Sequence, residues 1–338
     1  MIRAATRAGL GLLGLVLCLL AIRPIPAGAD AADPRALGTL TLLSTSDPTC
    51  PSGFACQGFE VTCPGIQASL DGFVAEATAV DPVRGVVLFF SGGSGTSWWT
   101  EGSSDALLFM TKLTEQGLMP IQVRWTEDWE AASAGEQAGP ATMACRPATV
   151  IDWSHEALYL PLGLQPVPES CGFCVTGNSG GASAVMYGLA FYGLDGIVDV
   201  AVPTSGPPHA ALAKGCLGEP ADYAFPTNAV IRLDSSYGYL DELTDPGPCI
   251  QHDASFTAQW DADSVDLGGD DYVYETSRVH FILGGLDDGA APVHAEELYA
   301  KLVQSGSPFV SAETVPTMGH RLALSVPGLK ALLATLAA

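Results

Sequence analysis

The residues best placed to do chemistry are a serine between glycines, two adjacent aspartates and a late histidine. Gly177-Asn178-Ser179-Gly180-Gly181 follows a short apolar segment and opens a helix-compatible run. A strand-to-helix turn of this kind is sharp and needs small flanking residues. It lifts the serine hydroxyl to the end of a sheet, where it can act as a nucleophile, and aims the Gly180 N–H at an oxyanion forming beside it. Asp287 and Asp288 sit in Gly284-Gly285-Leu286-Asp287-Asp288-Gly289, just after an apolar strand pattern, and His320 lies in Met318-Gly319-His320-Arg321. Together they could supply an acyl-transfer nucleophile, its general base and the carboxylate that orients that base. His209, His252, His280 and His294 remain as alternative bases, although each reads as structural.

These groups need elements to hold them. Val86–Phe90, 120–125, Cys174–Thr176, Ile197–Val202, Val279–Leu283 and Val310–Val315 read as strands. Continuous apolar runs such as Val86-Val87-Leu88-Phe89-Phe90 are expected where a strand is covered on both faces. Helical patterns alternate with them over Ser104–Gln116, Pro147–Leu160, Ala182–Tyr192, Ala295–Gln304 and Gly328–Leu336. That alternation predicts an α/β fold with a doubly wound, mostly parallel sheet. Residues 206–274 are irregular and rich in Gly, Pro and Asp. An insertion of that length between core strands predicts a lid or cap. Residues from Asp30 to about Gly72 read as strands and loops stapled by disulfides.

At its start the chain carries the pattern of an export signal over residues 1–29. Arg3 and Arg7 precede an apolar run from Gly9 to Ile22, and Ala27-Gly28-Ala29 fits a small-x-small cleavage site before Asp30. The run is short for a membrane span. The mature chain, residues 30–338, is therefore expected to be one domain, secreted or periplasmic, without stable membrane insertion. Of nine cysteines, Cys18 leaves with the signal and eight remain, an even number that suits an oxidising compartment. Clustering favours pairing within Cys50, Cys56 and Cys63, and of Cys216 with Cys249. Cys171 and Cys174 have the spacing of a redox or zinc motif but lack a second such pair and a nearby histidine, so a structural disulfide is the better reading. With 14 Lys and Arg against 37 Asp and Glu, the net charge is -23, which disfavours phosphate backbones and so excludes a nucleic-acid partner.

The Ser179 motif also resembles the Gly-Asp-Ser-Gly-Gly of chymotrypsin-like proteases. That fold is all-β with its histidine upstream, whereas here a helix follows the serine and the upstream His155 lies in a helical segment. The order serine, acid, histidine, with Ser179 on a strand-turn-helix and His320 after the last strand, resembles the α/β-hydrolase superfamily, in particular its secreted esterases and lipases. The resemblance covers roughly Val86 to Ala338 and implies a Ser-Asp-His triad, an acyl-enzyme and no cofactor or metal. It places the acid four residues before a helix-starting proline, which favours Asp288, before Pro292, over Asp287. It implies a second oxyanion donor, Gly93 or Ser94, from Ser91-Gly92-Gly93-Ser94-Gly95, where Ser91 stands in place of the usual His. Trp98 and Trp99 would line the acyl pocket or belong to the core. A small-molecule or polymeric ester is the expected substrate. A peptidase of the same fold and an inactive binding protein are the alternatives, and no oligomeric state is implied.

Overall fold

The computed structural model describes residues 35–80, 82–164 and 170–337; the expected export signal lies outside them. Nine strands form one sheet: β1 (Thr39–Leu42), β2 (Ala55–Thr62), β3 (Leu70–Glu76), β4 (Gly85–Phe90), β5 (Leu118–Trp125), β6 (Phe173–Asn178), β7 (Val200–Thr204), β8 (Arg278–Gly284) and β9 (Val310–Val315). Their order is β1-β2-β3-β5-β4-β6-β7-β8-β9. Pairings from β1 to β3, and of β3 with β5, are antiparallel, and every pairing from β5 to β9 is parallel. The helices are α1 (Ser104–Glu115), α2 (Pro140–Met143), α3 (Cys145–Ser154), α4 (Gly180–Tyr192), α5 (Leu212–Leu217), α6 (Thr227–Ser236), α7 (Thr257–Asp263), α8 (Ala291–Ser305) and α9 (Val326–Ala337). The expected mostly parallel sheet is what forms.

β4 and β6 are buried at every position, because helices cover both faces. On one face Val86, Leu88 and Phe90 pack with Val175, Ile151 and the α4 residues Val185 and Leu189. On the other, Val87 and Phe89 pack with Phe109, Leu113, Leu329 and Leu332 of α1 and α9. Alternation along β4 thus feeds two cores from one strand. Helix α1 is capped by the Ser103 hydroxyl, which accepts from the Ala106 N–H at 3.1 Å. Helix α3 starts two residues before the expected Pro147, and the segment beyond Ser154 widens to a π-turn at His155–Tyr159.

Residues 206–277 between β7 and β8 are more ordered than their composition suggests. They carry α5, α6 and α7, which share a separate small core of Leu212, Val230, Leu233, Tyr237 and Trp260. The Cys216–Cys249 disulfide sits inside that core. Cys50–Cys56 and Cys171–Cys174 also pair. One expectation fails: Cys63 joins Cys145, 82 residues away, rather than a neighbour in its own cluster. The reason is tertiary. The N-terminal end of α3 lies against the antiparallel corner of the sheet, where the Gly38 N–H also donates to Thr149 Oγ1 at 2.8 Å. Among the described residues, no helix is long and apolar enough to cross a membrane.

Candidate active site

The chemistry-bearing residues all follow the C-terminal ends of parallel strands, the end at which doubly wound sheets carry their ligands. β4 and β6 are neighbours, with Phe90 opposite Gly177. The loops leaving them, 91–97 and the turn at Ser179, are therefore side by side. Ser179 has φ 55° and ψ -117°, a conformation costing a non-glycine residue about 1–3 kcal/mol. The Ser179 N–H donates to the Thr204 carbonyl at 2.9 Å, which pins the turn to β7. The glycine after the turn permits its closeness to β4. A Cβ on Gly181 would stand 2.5 Å from the Phe90 carbonyl oxygen and 2.6 Å from that of Ser91.

Across the turn, a Cβ on Gly180 would lie 2.5 Å from the Gly93 carbonyl oxygen and 3.2 Å from its nitrogen. The two expected oxyanion donors thus come from touching backbones. Gly93 has φ 62° and lines the cleft above Ser179. Ser94 is turned to other partners: its hydroxyl lies 3.0 Å from Thr96 Oγ1 and its carbonyl accepts from the Trp129 N–H. Of the two alternatives, Gly93 is the one at the cleft. Ser91 closes the base of the loop, its hydroxyl donating to the Ser97 carbonyl at 2.7 Å.

His320 Nδ1 stands 2.8 Å from Asp287 Oδ2. The Asp287 side chain is only 3% exposed, and the imidazole is 43% exposed. Asp288, favoured from its spacing to Pro292, is exposed and makes no such contact; it is the alternative, Asp287, that meets the imidazole. The loops explain why. A Cβ on Gly284 would lie 2.6 Å from the carbonyl oxygens of Met318 and Gly319. The Leu286 N–H donates to the Met318 carbonyl, and the Gly285 N–H to that of Val315. These bonds lay the β8 loop against the β9 loop, so the residue after Leu286 faces His320 and its successor faces solvent. With Nδ1–H donating to the carboxylate, Nε2 is the basic nitrogen.

In the sequence Asn178 is only the residue that precedes the serine. Its buried Oδ1 accepts from the Leu322 N–H at 3.0 Å and from Thr204 Oγ1 at 3.3 Å. It thereby ties the Ser179 turn to the segment carrying His320. No spacing rule could have found this bond, which joins residues 144 apart.

Ser179, His320, Asn178, Gly93, Trp98 and Trp99 line one cleft of about 300 Å³. Both tryptophans line the cleft and are core residues as well. Each is almost wholly buried, and Trp99 packs on Phe89 and Phe109 while keeping an edge on the cleft. Helix α6 adds Asn228 and Arg232 to the lining. The other histidines are occupied elsewhere. His209 is buried, and burial pushes its pKa down to about 3. His294 is buried between the Ala211 N–H and the Tyr223 carbonyl. His280 bonds Ser311 and Glu313, and His252 bonds the Cys216 carbonyl.

No protein-family model matches the sequence, and no curated protein matches it. Solved structures do. The chain is similar to brefeldin A esterase, a bacterial homologue of human hormone sensitive lipase, at 14% identity and a TM-score of 0.51 over 87% of this chain and 77% of that one. It is similar to a puromycin hydrolase at 14% identity and TM-score 0.51, over 86% of this chain and 40% of that one. It is also similar to the acylaminoacyl peptidase of Pyrococcus horikoshii at 12% identity and TM-score 0.50, over 82% of this chain and 40% of that one. The chain thus spans about two fifths of the length of the latter two. By these likenesses and by its strand order, the chain has the α/β-hydrolase fold.

Proposed function

We propose that the protein is a serine hydrolase that cleaves carboxylic esters through Ser179, His320 and Asp287. The observation that carries this reading is the 2.8 Å contact of His320 Nδ1 with the buried Asp287 carboxylate, in a cleft shared with Ser179 on its strained turn. His320 Nε2 takes the Ser179 proton as Oγ attacks the ester carbonyl. The oxyanion is held by the N–H groups of Gly180 and Gly93, and the imidazolium by Asp287. The alcohol leaves with the proton from Nε2. Water, activated by the same nitrogen, then hydrolyses the acyl-enzyme. These steps use only the chain's own groups.

A cleft of about 300 Å³ suits a small acyl group better than an extended peptide, which favours ester over peptide substrates. Residues 206–274 act as the lid, with α6 forming one wall. The four disulfides support a secreted or periplasmic setting. The test is a panel of p-nitrophenyl esters beside peptide anilides, run on wild type and Ser179→Ala. Ester turnover that vanishes in the variant supports the reading. Anilide turnover exceeding ester turnover makes the protein a peptidase, and no turnover of either makes it a binding protein.

A further inference from the structure

Cations are scarce in this chain, yet two arginines, Arg232 and Arg321, line the cleft beside Ser179. They differ in what holds them. Arg321 is exposed, and its Nη2 donates to the Glu101 carbonyl at 3.2 Å. Arg232 is half-buried on α6, and its Nε is buried with no hydrogen-bond partner. Among the described residues its guanidinium makes no ion pair within 4 Å. Its Nη1 stands 4.0 Å from the point where a Cβ on Gly93 would sit, which puts the charge over the backbone of the oxyanion loop. Asn228, one helical turn earlier, lines the same cleft.

Two acidic groups feel the charge of Arg232, Asp128 and Glu130, and among the described residues neither lies within ion-pair distance of it. Glu130 is buried, and that burial, reinforced by the charge of Asp128, pushes its carboxyl well above the usual range while the Arg232 charge pulls it back down. Asp128 is itself pushed upward by burial and accepts the Glu130 N–H at 3.0 Å. A guanidinium half removed from water with no hydrogen-bonded carboxylate is costly, and a carboxylate entering the cleft would relieve that cost with a charge-assisted pair.

We propose that Arg232, with Asn228 beside it, is a specificity determinant for esters that carry a free carboxylate within a few bonds of the scissile carbonyl. This rests on the reading of Ser179 as nucleophile and adds a substrate class to it. The carboxylate belongs to the acyl half or to the alcohol half, and substrate pairs distinguish the two. In the acyl arm, the mono-4-nitrophenyl ester of adipic acid is compared with 4-nitrophenyl hexanoate. In the alcohol arm, the hexanoate ester of 4-hydroxybenzoate is compared with that of 4-hydroxybenzamide.

The quantity read in each arm is the ratio of kcat/KM for the charged ester to that for its neutral partner. Comparing this ratio between wild type and variants cancels the intrinsic reactivity of the esters. In at least one arm, Arg232→Gln is expected to lower the ratio about 10- to 100-fold, the worth of one charge-assisted contact. Arg232→Lys should restore part of it, and thermal unfolding checks that both variants fold. A merely structural arginine would lower both rates together and leave the ratios unmoved. Ser179-dependent hydrolysis with ratios unchanged in both arms overturns this proposal alone. Failure of the wild type to cleave any of the four esters, or cleavage that survives Ser179→Ala, overturns the nucleophile reading and this proposal with it.

Discussion

Replacing Asn178 by alanine removes the bond that links the nucleophile turn to the histidine segment, and its cost can be worked from the contacts. Asn178 Oδ1 accepts two donors, the Leu322 N–H at 3.0 Å and Thr204 Oγ1 at 3.3 Å. Thr204 keeps the Gly177 carbonyl as an acceptor at 3.1 Å, so its hydroxyl stays satisfied in the variant. The Leu322 N–H is buried and would be orphaned, at about 1–3 kcal/mol. In a chain of this size that lowers Tm by about 2–5 °C. The effect on rate has a different origin. Leu322 is two residues from His320, and a displacement of about 1 Å at a reacting group can cost around 100-fold. Since Asp287 still grips the imidazole, Asn178→Ala should lower kcat by about 10- to 100-fold with KM little changed. Asn178→Asp keeps an acceptor for Leu322 and should unfold at a higher temperature than the alanine variant. Steady-state kinetics on one p-nitrophenyl ester and thermal unfolding of the same samples make the test. An alanine variant that loses stability but keeps wild-type kcat would refute the positioning argument. A rise in KM with kcat intact would make Asn178 a substrate contact instead.

Other expected outcomes follow from separate parts of the structure. Asp288 is exposed, so Asp288→Asn should keep kcat within about tenfold of wild type in ester assays; a larger loss would contradict the loop geometry. Thiol titration of the denatured, unreduced mature protein should find no free cysteine, and the paired Cys63→Ser, Cys145→Ser variant should lose about 4 kcal/mol in denaturant unfolding, because that bridge closes the longest loop. An unfolding free energy equal to wild type would show that the cross-link does not constrain the unfolded chain. His294 should make stability pH-dependent. Burial pushes its pKa down to about 4 from an ordinary 6.5, so between those values the unfolded chain binds a proton that the folded one refuses. Stability is therefore lost as pH falls through that window, by about 2 kcal/mol between pH 8 and pH 5 relative to His294→Gln; a gap between the two proteins that stays constant over that range would contradict a buried neutral ring.

Much of this architecture could be read from local patterns, and the failures share a cause. Val86–Phe90 and the run from Ala182 to Tyr192 announced β4 and α4 because an element covered on both sides has almost no polar residue to interrupt it. The Ser179 turn was legible because its glycines are demanded by a close approach that only Gly181 and its neighbours permit. Sequence left Asp287 and Asp288 both open and leaned to Asp288, whereas it is Asp287 that contacts His320. The choice between adjacent carboxylates depends on how Gly284 and Gly285 pack against residues 315–319, and that packing is a relation between two distant loops. Cys63 was misjudged for the same reason, since its partner arrives on α3 from the far side of a long loop. Within 206–274, α5 and α7 have six and seven residues, too few turns for helical periodicity to emerge from sequence. Their order comes from the small core around Trp260 and the Cys216–Cys249 bridge. Arg232 reads in sequence as an ordinary polar residue of a loop-rich insertion. Its significance appears only once α6 is laid over the Gly93 loop.

The proposed reaction makes Ser179 a nucleophile activated by His320, whose ring Asp287 orients. The most direct measurement is the rate at which a fluorophosphonate labels the protein, with the adduct located by peptide mass spectrometry, in wild type, Ser179→Ala, His320→Ala, Asp287→Asn and Asp288→Asn. One adduct is expected, on Ser179. It should be absent in Ser179→Ala, slowed by about 10³- to 10⁴-fold in His320→Ala and Asp287→Asn, and formed at close to the wild-type rate in Asp288→Asn. An adduct on another residue, or slow labelling of Asp288→Asn beside a fast Asp287→Asn, would contradict the proposed reaction.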